Sequence, residues 1–121
     1  MKILVTGGLG YIGSHVTVLL LQKGYEVISV DNLDNSSLKV LDGIESITGN
    51  RPFFEAFDVR NEDQMSLLFD KFPEIDGVIH FAAHKAVGES VENPLKYYEN
   101  NISGLVQILK PVIQKSIPFI F

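Results

Sequence analysis

Glycines at positions 7, 10 and 13 sit between the short apolar run KILVT (2–6) and a helical pattern that begins at Tyr11, and no other feature limits the fold as much. An apolar, β-branched run ending at glycine reads as a strand buried on both faces. From Tyr11 to Lys23, Ile12, Val16, Val18, Leu19 and Leu20 recur at helical spacing, and Gly24 follows as a stop. A phosphate-binding strand-to-helix junction uses one glycine for the tight turn and a second for close approach of a diphosphate to the backbone. A third lets the helix pack on the strand. The first N–H groups of the helix then point at the anion. Gly7, Gly10 and Gly13 are therefore candidates for a dinucleotide loop, although the spacing alone also fits a plain turn between strand and helix.

The rest of the chain repeats the alternation. EVISVD (26–31) is a second strand, and Leu38, Leu41, Ile44 and Ile47 place a helix over 38–48. PFFEAF (52–57) is a third strand. Asn61 then caps a helix with Gln64 at the reciprocal capping position, and Met65, Leu67, Leu68, Phe69 and Phe72 supply its apolar face. GVIHFA (77–82) is a fourth strand, and Asn93–Pro94 starts a long helix. Pro111 predicts a kink or break near Ile108 to Lys110, because it removes a backbone donor and crowds the preceding turn. The closing IPFIF is a fifth strand.

Alternating strands and helices with right-handed crossovers predict an α/β, Rossmann-type, doubly wound parallel sheet of about five strands. The expected strand order is three, two, one, four, five, with helices on both faces. At 121 residues the chain is one domain, 1–121. Its apolar end suggests truncation after strand five, with any substrate domain absent.

A net charge of −5 and a pI near 5.0 exclude the clustered basic surface that nucleic-acid binding needs. There is no cysteine, so no disulfide framework and no thiolate site. The first apolar stretch is too short for a signal sequence or a membrane span, and the chain reads as cytoplasmic. His15, His80 and His84 show no metal-ligand spacing, so no metal is assigned; His80, inside a strand, reads as a packed histidine with one hydrogen bond.

Asp31 ends the second strand 18 residues beyond Gly13, where an acid accepts hydrogen bonds from the adenine ribose hydroxyls. A carboxylate there repels a 2′-phosphate, which favours NAD over NADP. The alternative for Asp31 is a cap on the turn at Asn32. Asp58 and Val59 close strand three beside the presumed adenine, where Asp58 either accepts from the adenine amino group or starts the turn into the helix at Asn61.

GGLGYIGSH (7–15), DNLDNS (31–36) and HFAAHKAVGESVENPLKYYENNISG (80–104) resemble the UDP-glucose 4-epimerases of the extended short-chain dehydrogenases, over essentially the whole chain. The resemblance implies a tightly held NAD that removes hydride from C4 of a UDP-hexose and returns it to the other face. It implies that Tyr11 and Ile12 contact the pyrophosphate, that Asp31, Asn32, Asn35 and Ser36 surround the adenosine ribose, and that Asp58 and Val59 meet the adenine. Phe81, Ala82, Ala83, Lys85 and Asn100 match positions lining the nicotinamide half. An ammonium at Lys85 suits a ribose and phosphates, while either Asn100 or Asn101 can be the inward residue of the helix, and exposure of each is the remaining alternative. Tyr97 and Tyr98 read as packing residues.

The family's general base is a tyrosine in YxxxK. The residues four beyond Tyr11, Tyr25, Tyr97 and Tyr98 are His15, Ser29, Asn101 and Ile102, so no catalytic residue is assigned. The expected role is the cofactor-binding part of such an epimerase, inactive alone, with a UDP-hexose as partner of the longer parent and a homodimer as an assembly the resemblance allows. A sugar-nucleotide dehydratase, a UDP-uronate epimerase and a non-catalytic NAD-binding module are the alternatives.

Overall fold

The computed structural model describes residues 1–121. Strands β1 (Lys2–Thr6), β2 (Glu26–Asp31), β3 (Phe53–Ala56), β4 (Ile75–His80) and β5 (Phe119–Ile120) form one parallel sheet in the order β3-β2-β1-β4-β5. The connections are α1 (Tyr11–Gln22), α2 (Lys39–Thr48) and α3 (Glu62–Lys71), followed between β4 and β5 by α4 (Val87–Glu92), α5 (Pro94–Tyr98), a π-helical turn (Glu99–Ser103) and α6 (Gly104–Gln114). None of these helices is long and apolar enough to cross a membrane.

Alternation along the strands builds two cores. Leu4, Ile28, Val30 and Val78 point to one face and pack with Met65, Leu68 and Phe69 of α3 and Ile108 and Val112 of α6. Ile3, Val5 and Val27 point to the other and pack with Leu21 of α1 and Leu41 and Ile44 of α2. Side chains as fully buried as Leu4 and Ile28 each contribute about 1.5–3 kcal/mol relative to exposure. Helices on both faces follow directly from this two-sided burial, because a parallel sheet must be covered on each side.

Several boundaries differ from the sequence expectation. Strand β4 spans 75–80 rather than 77–82, which puts Phe81 and Ala82 beyond the strand, and β5 holds only two ladder residues of the apolar IPFIF run. Asn61 caps α3 by accepting from the Gln64 N–H at 3.0 Å, but its own N–H donates to the Asp58 carbonyl at 2.8 Å, so the reciprocal half of the capping box has no donor left. Helix α6 runs unbroken through Pro111. Only one turn follows the proline, and that turn is closed behind it: Lys115 N–H donates to the Pro111 carbonyl at 3.0 Å and Ile117 N–H to the Val112 carbonyl at 3.0 Å. The irregularity of the long helix lies upstream, in the π-helical turn at Glu99–Ser103.

Candidate functional site

In the order β3-β2-β1-β4-β5 the chain leaves β1 for β2 on one side and returns to β4 on the other, so connections diverge at the carboxyl ends of β1 and β4. Ligands of open α/β sheets bind at this switch point. A cleft opens here.

The glycine turn forms its floor. Gly7 has φ +65°, and its N–H donates to the Val30 carbonyl at 2.7 Å, which ties the turn to the end of β2. A Cβ on Gly13 would sit 2.1 Å from the Gly7 carbonyl oxygen, so this glycine is the contact that lets α1 lie against the turn. Gly10 differs: a Cβ there would meet only the Gly7 oxygen, at 3.2 Å, and its outer side is open. Gly10 is the N-cap of α1 and offers no side-chain cap, which leaves the N–H groups of Tyr11, Ile12 and Gly13 without a protein acceptor. Gly7 and Gly10 line the cleft directly, while Tyr11 and Ile12 are exposed at the helix start and Gly13 is buried beneath it.

Asp31 joins two walls. Its carboxylate accepts from Leu9 N–H of the glycine turn at 3.1 Å, from Leu33 N–H at 3.0 Å and from the Ser36 hydroxyl at 2.7 Å. Capping of the local turn and a place in the cleft are thus both realised. Leu33 takes φ +63°, a left-handed conformation that costs a β-carbon residue energy, and it is held there by the Asp31 bond and by packing of its side chain on the core. Asn32, Asn35 and Ser36 of the same loop line the cleft.

Asp58 and Val59 close the third wall. The Arg60 guanidinium grips Asp58 through Nε at 3.0 Å and through a second nitrogen at 2.6 Å, and this holds the Asp58 carboxyl below the ordinary carboxylate range. Asp58 also starts the turn, since its carboxylate accepts from Arg60 N–H at 2.9 Å. Val59 is pressed by α6: a Cβ on Gly104 would come within 2.9 Å of Val59 Cγ2.

Phe81, Ala82 and Ala83 line the fourth wall as irregular chain beyond β4, whereas Lys85 is exposed on the following loop and outside the cleft lining. The paired asparagines divide their tasks. Asn100 is the inward residue, 7 % exposed and in the cleft. Asn101 clamps the loop, accepting from His84 N–H at 2.8 Å and donating to the His84 carbonyl at 3.1 Å. Asn100 Nδ2 donates to Asn101 Oδ1 at 2.9 Å, so the two amides orient each other. Both lie in the π-helical turn, a local widening that often marks functional sites. Of the two tyrosines read as packing residues, Tyr97 packs its ring against His84 with centroids 5.6 Å apart and donates its hydroxyl to Glu89 at 2.9 Å, whereas Tyr98 is exposed.

Val30, Asp34, Phe57 and His84 also line the cleft, and sequence reasoning left them out of the site. Val30 and Phe57 adjoin residues that were included, so adjacency to Asp31 and Asp58 was the available signal. Nothing in the spacing pointed to His84, whose place depends on the Asn101 clamp.

A family model described as GDP-mannose 4,6 dehydratase matches residues 4–119. A UDP-glucose 4-epimerase of Klebsiella pneumoniae is 52% identical over 110 residues, which is 90% of this chain and 78% of that protein. One from Schizosaccharomyces pombe is 50% identical over 108 residues, 89% of this chain, yet this chain spans only 30% of its length. Among solved structures, the Bifidobacterium longum UDP-glucose 4-epimerase in complex with NAD+ and UDP superposes with a TM-score of 0.94 at 45% identity, over 98% of this chain and 36% of that one. The Stenotrophomonas maltophila enzyme with bound NAD and formylated UDP-arabinopyranose gives 0.92 at 44% identity, over 98% and 36%. The family model is shared with dehydratases, but identity near one half over nine-tenths of the chain falls on epimerases, and with it the chain belongs to the UDP-glucose 4-epimerases of the extended short-chain dehydrogenase family.

Proposed function

We propose that this chain binds NAD in the cleft at the carboxyl ends of β1, β2 and β4, as the cofactor-binding part of an enzyme that interconverts UDP-galactose and UDP-glucose. One observation carries the reading: the uncapped N-terminus of α1 and the buried Asp31 carboxylate meet in one cleft. An array of free N–H groups suits a diphosphate, and an acceptor-only carboxylate suits a ribose diol. The donor set therefore fits a dinucleotide with an unmodified adenine ribose.

The residues take these roles. Tyr11 and Ile12 offer backbone N–H groups to the diphosphate, with Gly7 and Gly10 allowing it near the chain and Gly13 seating the helix. Asp31, Asn32, Asn35 and Ser36 hold the adenosine ribose, and Asp58 and Val59 flank the adenine. Phe81, Ala82 and Ala83 shape the nicotinamide end and exclude water from it, Asn100 presents a polar group there, and Lys85 on the adjoining loop adds positive charge. The chemistry that a bound NAD supplies is acceptance of hydride from the hexose C4 and its return. The proton of the C4 hydroxyl has no acceptor assigned among these residues, and the tyrosine base of the family's YxxxK motif has no counterpart in the 121 residues.

Calorimetry with NAD and NADP tests the proposal. NAD is expected to bind at least about tenfold more tightly, a difference of about 1.4 kcal/mol. Asp31→Asn, which keeps one acceptor oxygen, is expected to narrow the preference. Equal affinities in the wild type, or an unchanged preference in the variant, would remove Asp31 from the ribose site.

A further inference from the structure

The parallel ladder between β1 and β4 pairs Ile3 with Gly77 and continues to Thr6 with His80. One further backbone bond extends it, from Phe81 N–H to the Thr6 carbonyl at 2.9 Å. There the two chains part. Gly7 turns away at φ +65°, giving its N–H to Val30 and accepting Gly10 N–H on its carbonyl at 3.0 Å. The next N–H along the chain, that of Ala82, has no main-chain acceptor. It instead meets the Thr6 hydroxyl oxygen at 3.4 Å, a long bond.

That hydroxyl lies 2.6 Å from His80 Nδ1. An oxygen that accepts from Ala82 has one proton to donate, and the ring nitrogen is its bonded neighbour. Donation from the hydroxyl to Nδ1 gives that proton its one acceptor and goes with a neutral imidazole protonated on Nε2, an atom buried without a partner. Burial favours the neutral imidazole over the charged one, lowering the His80 pKa to about 4. The ring is fixed in place, 4 % exposed and stacked on Phe121 with centroids 5.9 Å apart. The Gly7 turn crosses the same segment so closely that a Cβ on Gly7 would lie 2.7 Å from Ala82 N.

We propose that His80 is a positioning residue: by accepting the Thr6 hydroxyl proton it aims the hydroxyl oxygen at Ala82 N–H, and so sets the opening of the cleft between the glycine turn and the Phe81–Ala83 wall. The side-chain relay takes over where the backbone ladder must end for a ligand to enter. The inference rests on the NAD reading for its ligand, and it predicts an effect confined to the nicotinamide half.

The test titrates the 121-residue chain with NAD and with AMP, which occupies the adenosine half alone. Thr6→Val and His80→Leu are each expected to weaken NAD about tenfold, the size of one lost positioning bond, with AMP affinity changed less than about twofold. Thr6→Ser and His80→Asn, which keep the hydroxyl and an acceptor at the Nδ1 position, are expected to restore NAD binding. The double variant Thr6→Val/His80→Leu should bind NAD no worse than Thr6→Val alone. Equal loss of both ligands, or unchanged NAD affinity in both single variants, overturns the proposal. If the wild type binds neither NAD nor AMP, it is the NAD reading that fails, and the relay is judged by nitrogen NMR of the unliganded wild type. A ring protonated on Nε2 at neutral pH supports the relay, and one protonated on Nδ1 overturns it without reference to any variant or ligand.

Discussion

Two glycines three residues apart in one loop serve different ends, and single substitutions separate them. At Gly13 an added Cβ meets the Gly7 carbonyl oxygen at 2.1 Å, main chain against main chain, so relief requires α1 to move off the turn. Gly13→Ala is expected to cost about 3 kcal/mol in urea denaturation, as overpacking of a tight contact does. At Gly10 the space is open, and Gly10→Val is expected to lower stability by less than about 1 kcal/mol while abolishing NAD binding, because the branched side chain fills the approach of the diphosphate. Gly10→Val that folds and binds normally would show the loop to be a plain turn. His80 gives a pH dependence at the same scale. Its pKa falls on folding from an ordinary value of 6.5 to about 4, so between these values the unfolded chain holds a proton that the native chain does not. Stability is therefore complete above about pH 7 and declines as the pH falls through 6 and 5, by about 3 kcal/mol in full. The Asp58 contribution has the same sign but is lost only at lower pH, because Arg60 holds that carboxyl below its usual range. Urea denaturation at pH 7.5 and 5 checks this: His80→Leu should flatten the decline, and an unchanged slope would mean His80 is not its source.

Among the elements, helix ends show what local sequence can and cannot reveal. Helix α1 ends with Gly24 at φ +81°, its N–H on the Leu21 carbonyl and that of Tyr25 on the Leu20 carbonyl. Helix α6 ends with the same pair of bonds, from Ser116 to Ile113 and from Ile117 to Val112, but Ser116 occupies the left-handed position at φ +55°. The first end was legible because glycine advertises it; the second was not, because serine carries no such signal. Ser116→Gly is expected to raise stability by about 0.5–1 kcal/mol, and Ser116→Val to lower it. A loss of stability in the glycine variant would show that the serine side chain matters more than its backbone strain. Legibility fails in the same way at the π-helical turn. Asn100 and Asn101 read as ordinary helix residues, and only the loop they face, with His84 presented by its main chain, selects the wider turn. The break that Pro111 predicts does not form, since a proline one turn from a helix end removes few bonds. By contrast, the glycine turn, the acid at the end of β2 and the strand order follow from short-range spacing and the two-sided burial of a parallel sheet, and so they could be read directly.

For the whole molecule, cofactor binding and turnover are expected to separate. The 121-residue chain is expected not to convert UDP-galactose to UDP-glucose even with NAD added, since a positioned base is typically worth about 10²–10⁴ in rate and none is assigned here. A coupled assay of UDP-glucose formation, run beside a protein that includes the YxxxK motif, measures this; comparable turnover would make Tyr97, Tyr98 and Lys85 the first residues to substitute. The Asp31 carboxylate has a consequence for how the molecule meets its ligand. It suspends Leu9 of the glycine turn and Leu33 and Ser36 of the segment after β2 from a single side chain. These two segments are therefore ordered beforehand, and association spends no free energy on freezing them. The Leu9 and Leu33 amides should accordingly exchange slowly with deuterium in the ligand-free protein, and NAD should add little further protection there. Fast exchange that slows only on binding would mean that the ligand, and not the acid, assembles the cleft.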